Sequence, residues 1–509
     1  ILRADENSSW GFVAGVLFVS GVALSVTHGL WPTIPHSLAL VGHDITSFGA
    51  GEFLRFRHAL AVVLLPATLL GIWFPSLFRL RDFPKQQIGG FVGKTYAANA
   101  IGCVAGALAT SFFLLPRFGS EALLSAFAAL LIVSGAVIAV WRRRSVWPVA
   151  VAAAIAGLVI LNLPSWDRLR LTSGEHVYFS ENAVTPGSQL LYFREDAAGG
   201  ITTVVATAFG PRVVRTLLTN GKFQGNDGGE TIAQASFGII PSSMLREFDD
   251  VLVVGAGTGA TADIVHALGF KNVRVAEIAP PIIDAARREF SGLNHRVFEQ
   301  PNVTVDIEDG RNVLLLNRDA RYDLITIEIT SIWFSDATNL YSREFYQIAH
   351  ARLRPHGVLQ QWIQLHHIEP YDIVSVVATM RAVFPYVSLW AIGGQGILVG
   401  SDEPQIIRTN GLKHVQLLAP RIGWKTPQDF ATAIRMIASR QLLSPAAVDR
   451  FLNRFEPIIN TDRNRFLEYS TPRANLNRAA TTESTIQRLS IFSDRTAPPI
   501  ERDAVPLIN

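Results

Sequence analysis

A chain of 509 residues, 49% hydrophobic and only 17% charged, has room for two or three domains and is unusually apolar. Its 45 Lys and Arg against 42 Asp and Glu leave a net charge of +3, with the cations scattered and no aromatic–basic stripe, which excludes a nucleic-acid partner. The single cysteine, Cys103, excludes an intrachain disulfide and a thiolate metal cluster.

The first 165 residues hold most of the long uncharged runs. Ser9–Trp31, Ala59–Phe78, Thr95–Pro116 and Ala122–Trp141 are each long enough to cross about 30 Å of hydrocarbon, and Trp147–Leu163 is a shorter fifth. Tryptophans at 10, 31, 141 and 147 sit at run ends, as interfacial aromatics do. Gly11-x-x-x-Gly15 and Gly102-x-x-x-Gly106 predict close helix packing. No acid, Lys or Arg lies within a span, so a proton relay or ion pathway has little to work with. The reading is a transmembrane bundle of about five spans in a bacterial inner membrane, with the lipid bilayer as a partner. Arg79, Arg81, Lys85 and Lys94 flank one connection and Arg142–Arg144 another, and the count of spans decides on which side the soluble half emerges.

Residues 166–245 read as a small β domain. HVYFS (176–180), QLLYFR and ITTVVATAF are predicted strands, and Asn220-Gly221 is a hairpin-type turn. From residue 246 to 405, strands at 251–254, 273–276, 303–307, 322–328, 357–362 and a pair around 386–399 alternate with helices. That alternation predicts a parallel sheet with helices on both faces, an α/β Rossmann-like domain of methyltransferase type. Residues 406–509 are left as a helical extension and tail. Gly255, Gly257 and Gly259 follow the first strand, and Glu277 closes the second. A glycine turn admits a ligand to the backbone, and an acid at the next strand end can accept hydrogen bonds from both ribose hydroxyls. The third-glycine spacing of a dinucleotide fingerprint is missing, so an adenosine with a sulfonium arm fits better than a pyrophosphate cofactor. Gly255, Glu277, Asp309 and Glu328 all fall at carboxyl ends of predicted strands. His366-His367 is not read as a metal pair, because adjacent strand residues point to opposite faces, and no metal site is expected.

Residues 175–400 resemble the spermidine synthase (polyamine aminopropyltransferase) family. The resemblance rests on Asn220-Gly221-Lys222-Phe223-Gln224, Gly255–Gly259, Glu277, Asp309-Gly310 and Tyr322-Asp323-Leu324-Ile325 leading to Glu328. Leu340–Tyr346 and Leu353-Arg354-Pro355-His356-Gly357 continue it. Leu64–Leu70, Tyr96–Gly102, Gln361–Leu365, Asn460-Thr461-Asp462 and Leu467-Glu468-Tyr469 are similar to the multispanning bacterial versions fused to such a domain. The resemblance implies transfer of an aminopropyl group from decarboxylated S-adenosylmethionine to a diamine such as putrescine, with no tightly bound cofactor. It assigns Glu277 to the ribose, Asp309 with Gly310 to the adenine, Gln224 to the cofactor arm, and Gly255, Gly257 and Gly259 to backbone approach. Glu328 is the implied base and amine anchor, with Asp336 as a second acid.

Thr258 stands where soluble members carry a loop acid, Glu328 replaces an aspartate, and a Tyr-His pair gives way to Gln234 and Ala235. These departures keep two other readings open: a methyltransferase using ordinary S-adenosylmethionine, and a non-catalytic membrane subunit or scaffold that retains a degenerate pocket. A homo-oligomer or a membrane-complex partner is a further expectation.

Overall fold

The structure, a computed structural model, describes residues 6–508 apart from 81–84, 144–149, 152, 153, 155, 159–162, 180–186, 230, 330, 331, 335, 336 and 478. Among the described residues, three helical stretches are long and apolar enough to cross a membrane by length and composition: Ser9–Gly42, Phe48–Ser76 and Gly89–Trp141. The last holds two of the predicted runs, divided at Gly119 (φ 76°, ψ 164°). The predicted fifth run, 147–163, lies largely outside the described residues. Helix Glu6–His28 packs on Leu115–Arg143, but not through the predicted small-residue pairs. A Cβ on Gly15, Gly102 or Gly106 would meet nothing within 4 Å, whereas one on Gly21 would lie 2.6 Å from Ile132 Cγ1 and one on Gly135 2.6 Å from the Ala14 carbonyl. Spacing predicts that glycines share a face; only the neighbouring helix decides which face is used.

Between the apolar helices and the soluble half, HVYFS does not form the predicted strand. Glu175–Tyr178 is a single helical turn entered through Gly174 in the left-handed region (φ 84°). Phe179 anchors it against Gly42, where any Cβ would lie 1.9 Å from the ring, and Arg55 stacks on that ring at 4.6 Å. Four antiparallel strands follow: β1 (Gln189–Asp196), β2 (Gly200–Phe209), β3 (Arg212–Thr219) and β4 (Lys222–Asn226). Asn220 (φ 50°) and Gly221 (φ 73°) are both left-handed, as the tight β3–β4 turn requires.

The large sheet runs β12-β10-β11-β9-β8-β5-β6-β7. Its parallel part is β5 (Asp250–Val254), β6 (Asn272–Glu277), β7 (Val303–Ile307), β8 (Tyr322–Ile327) and β9 (Leu353–Ile363). The predicted parallel sheet holds through β9, and the late strand pair turns out antiparallel. Here β10 (Tyr386–Ile392) and β11 (Gln395–Ser401) form a hairpin through Gly393-Gly394, and β12 (Gln441–Leu443) adds antiparallel to β10. A two-residue turn leaves no length for the crossover a parallel pair needs. Alternation along β5 sends Val251 and Val253 into one core and Leu252 and Val254 into the other, so the sheet is covered on both faces. At its amino edge the Asp323 carboxylate accepts from the backbone N–H groups of Asp249 and Asp250 at 2.9 Å each, and Arg354 donates to Asp323 at 2.8 Å, tying β5, β8 and β9 together.

Asp372, on helix Pro370–Arg381, is fully buried; Ser470 donates to its Oδ1, while Oδ2 has no partner among the described residues. Burial pushes its carboxyl up to about 6. A raised carboxyl contributes stability below its unfolded value that is lost as pH rises through the folded value. Asp372→Asn is therefore expected to stabilise the protein above pH 6, by at most about 3 kcal/mol, and to change little at pH 4.5. Thermal unfolding of both proteins at pH 4.5 and 7.5 checks this; equal shifts at both pH values would contradict it.

Candidate active site

The turn after β5 brings two strand ends closer than any side chain permits. Gly255 has φ 92°, and a Cβ there would lie 2.0 Å from the Glu328 carbonyl oxygen. Gly257 faces open space, with nothing within 4 Å of a would-be Cβ, and Gly259 begins helix Ala260–Ala267. The β5 and β8 ends, with those of β6 and the turn after β7, border a cavity of about 700 Å³. Its opposite wall is the β3–β4 hairpin.

Of the residues predicted from sequence, Gln224, Gly255, Gly257, Glu277, Asp309, Gly310 and Glu328 all line this cavity. Gly259 does not appear in the lining; it shapes the turn behind it. Asp336 lies outside the described residues. Glu277 is 6% exposed, and its carboxylate accepts from the N–H groups of Ala256 and Ala279, at 3.0 Å each. Burial raises its pKa, against the pull of those backbone donors. Each carboxylate oxygen retains a second lone pair for a ligand hydroxyl. Asp309 caps helix Gly310–Leu316 by accepting from the Asn312 N–H at 3.0 Å, so a turn role and a cavity position coexist in one residue. The Thr261 hydroxyl donates to Glu328 Oε2 at 2.5 Å.

Sequence reasoning passed over four lining residues. Lys222 is 5% exposed, its ammonium 5.3 Å from the centre of the Trp333 ring, and burial lowers its pKa to about 8. Period-two alternation on β4 could have found it, since Lys222 and Gln224 share a face. Burial, and then the neighbouring Lys222, lower His366 to about 4, which leaves its imidazole neutral at pH 7. His366 and His367 follow β9 rather than continuing it, so the strand argument against a metal pair does not apply to them. Among the described residues no group of three or more His, Cys, Asp or Glu side chains could hold a metal ion. Gln234, 3% exposed, has a buried Oε1 with no hydrogen-bond partner among the described residues. Trp362 donates its indole N–H to Gln395 at 2.9 Å. Thr258 is buried and absent from the lining, its hydroxyl without a partner among the described residues.

The tail acid Asp462 latches the elements beneath the rim. Its carboxylate takes both guanidinium branches of Arg311 and, at 2.6 Å, the Ser342 hydroxyl, and it does not line the cavity. Glu468 pairs with Arg465 at 3.6 Å.

Residues 230–392 match the family model described as the spermine/spermidine synthase domain. Polyamine aminopropyltransferase 2 of Pseudomonas aeruginosa is 26% identical over 200 residues, which cover 37% of this chain and 56% of that protein. The match thus spans little more than half of that relative. Polyamine aminopropyltransferase 2 of Streptomyces coelicolor is 25% identical over 413 residues, 75% of this chain and 72% of that one. The matched length exceeds the whole stretch 166–509, so the similarity enters the apolar half. A crystal structure of spermidine synthase from Thermotoga maritima aligns with 42% of this chain and 73% of that one, at 20% identity and a TM-score of 0.36.

The two rim glycines should respond differently to a methyl group. Gly257→Ala is expected to cost about 1–2 kcal/mol, the strain of a left-handed alanine. Gly255→Ala adds a clash with the Glu328 carbonyl and is expected to cost about 4 kcal/mol or more. Denaturant unfolding of the purified variants compares them, and equal losses would rule out the close approach of the β5 and β8 ends.

Proposed function

We propose, on the match of residues 230–392 to the spermine/spermidine synthase domain, that the chain transfers an aminopropyl group from decarboxylated S-adenosylmethionine to an amine, with a diamine such as putrescine as the first acceptor to test. The observation that carries this reading is the shared cavity of Glu277, Asp309 and Glu328 on the carboxyl rim of the parallel strands. Glu277 would accept from the two ribose hydroxyls while its other lone pairs hold the glycine turn in place. Asp309 would accept from the adenine amino group.

The reaction is a displacement at the carbon beside the sulfonium. The amine lone pair forms the new C–N bond as the C–S bond breaks, and the electrons of that bond leave on sulfur to give neutral methylthioadenosine. An amine protonated at neutral pH must first lose a proton, and Glu328 would take it. The Thr261 hydroxyl holds that carboxylate from the side, which fixes its direction toward the amine.

Two observations favour a second reading. Lys222 places a buried ammonium in the cavity, and Thr258 supplies no acid in the glycine loop. Both suit a donor arm ending in a carboxylate, as in ordinary S-adenosylmethionine.

Incubation with decarboxylated S-adenosylmethionine and putrescine should yield spermidine and methylthioadenosine in equal amounts by mass spectrometry. Glu328→Gln should lower kcat about 10²–10⁴-fold and leave methylthioadenosine affinity unchanged. Glu277→Ala should weaken that affinity at least about a hundredfold, because two hydrogen bonds to a carboxylate are lost. Turnover of ordinary S-adenosylmethionine alone would replace the proposal with the second reading, and turnover of neither donor would sink both.

A further inference from the structure

The tail motif Asn460-Thr461-Asp462 contributes nothing to the cavity lining, yet it is hydrogen-bonded to two elements that do. Helix Pro370–Arg381 fixes its approach. On the way out, Ser375 donates to the Ile458 carbonyl at 2.6 Å and the Asn460 N–H donates to Thr379 at 2.9 Å. The chain then reverses. On the way back Ser470 donates to Asp372 and Asn477 donates to Glu369 at 3.0 Å. The reversal between these two limbs is where the tail meets the wall of the cavity.

Asn460 is 1% exposed, and each of its polar atoms is hydrogen-bonded. Its Nδ2 donates to the carbonyls of Thr338 and Tyr341 at 3.4 and 3.1 Å, and its Oδ1 accepts from the Leu467 N–H at 3.2 Å. Its own carbonyl accepts from the Arg343 N–H at 2.9 Å. Asp462 holds Arg311 and Ser342 through its carboxylate, and its N–H donates to Glu344 at 3.0 Å. Arg311 in turn donates to the Asn339 carbonyl at 3.4 Å. The carbonyls of Thr338, Asn339 and Tyr341 are therefore held by Asn460 and by an arginine that Asp462 itself holds.

The held elements carry part of the lining. Ala337–Tyr341 is a 3-10 helix of five residues, too short to be stable by itself, and its Ala337 and Leu340 line the cavity. Arg311 sits in the first turn of helix Gly310–Leu316, beside Asp309 and Gly310, which line it too. The Asp462 carboxylate bridges the two, with Arg311 on one side and Ser342, directly after the short helix, on the other. A site is only as precise as the residues that support its lining. We propose that Asn460 and Asp462 are positioning residues, which set the affinity of the cavity for a nucleoside without touching it by holding Ala337–Tyr341 against the start of helix Gly310–Leu316. The nucleoside rests on the transferase reading; the brace does not.

Hydrogen exchange of the ligand-free full chain in detergent reads the brace directly. Asn460→Ala and Asp462→Ala should each speed exchange of the amides of residues 337–342 about tenfold or more. Asp462→Asn, which keeps an acceptor for Ser342, is the milder variant and should speed it less. Ser375→Ala removes a bond of the same tail away from the wall and should leave that exchange as it was. Calorimetry with methylthioadenosine reads the consequence. Asp462→Ala and Arg311→Ala should each weaken binding about tenfold, and the double variant no further, because either change breaks the same bridge. Unchanged exchange at 337–342, or exchange that rises evenly along the chain, would overturn the brace. Faster exchange with unchanged nucleoside affinity, or additive losses in the double variant, would overturn the positioning role. A wild type that does not bind methylthioadenosine would remove the nucleoside together with the transferase reading, with exchange still deciding the brace.

Discussion

The rim of the sheet depends on the contact between Gly255 and the Glu328 carbonyl. Because nothing but hydrogen occupies the space where a Cβ would sit 2.0 Å from that oxygen, the ends of β5 and β8 abut. The same turn presents the Ala256 N–H to Glu277, so a buried carboxylate on the next strand becomes the hinge pin of the glycine loop. Position and charge are thereby coupled: the acid that would meet a ligand also orders the backbone around it. Burial raises its pKa while backbone donors oppose the rise.

The opposite wall is tied to the apolar half. Phe179 seats against Gly42 under Arg55, and three residues earlier His176 abuts Gly221, whose Cβ would lie 2.8 Å from the imidazole. Gly221 is the turn that delivers Lys222 and Gln224 to the cavity. A second tie runs from Gly119, where the long apolar helix breaks and the Ser120 N–H donates to Glu195 on β1 at 3.0 Å. The small β sheet is thus clamped between the helices and the rim.

The cavity is lined by charges of both signs. Three acids, Glu277, Asp309 and Glu328, share it with the Lys222 ammonium and a neutral His366, and this mixture underlies the two donor readings.

Much of this was legible in the chain order alone. Local apolar runs and turn residues determine strands such as β5 and the Asn220-Gly221 hairpin, since backbone preference and side-chain period act over a few residues. Spacing likewise put Gly255, Glu277, Asp309 and Glu328 at strand ends. Tertiary structure decided the rest. HVYFS alternates like a strand, yet Gly174 and the socket at Gly42 turn it into a helix. The runs from Thr95 to Trp141 read as two spans, and the helical stretch that holds them is divided between them, at Gly119. Lys222 reads in the chain as part of a turn motif, and only the burial imposed by distant elements shows its ammonium inside a cavity. Short-range chemistry belongs to the sequence; which faces meet, and what each side chain then gives up to water, is settled by elements hundreds of residues apart.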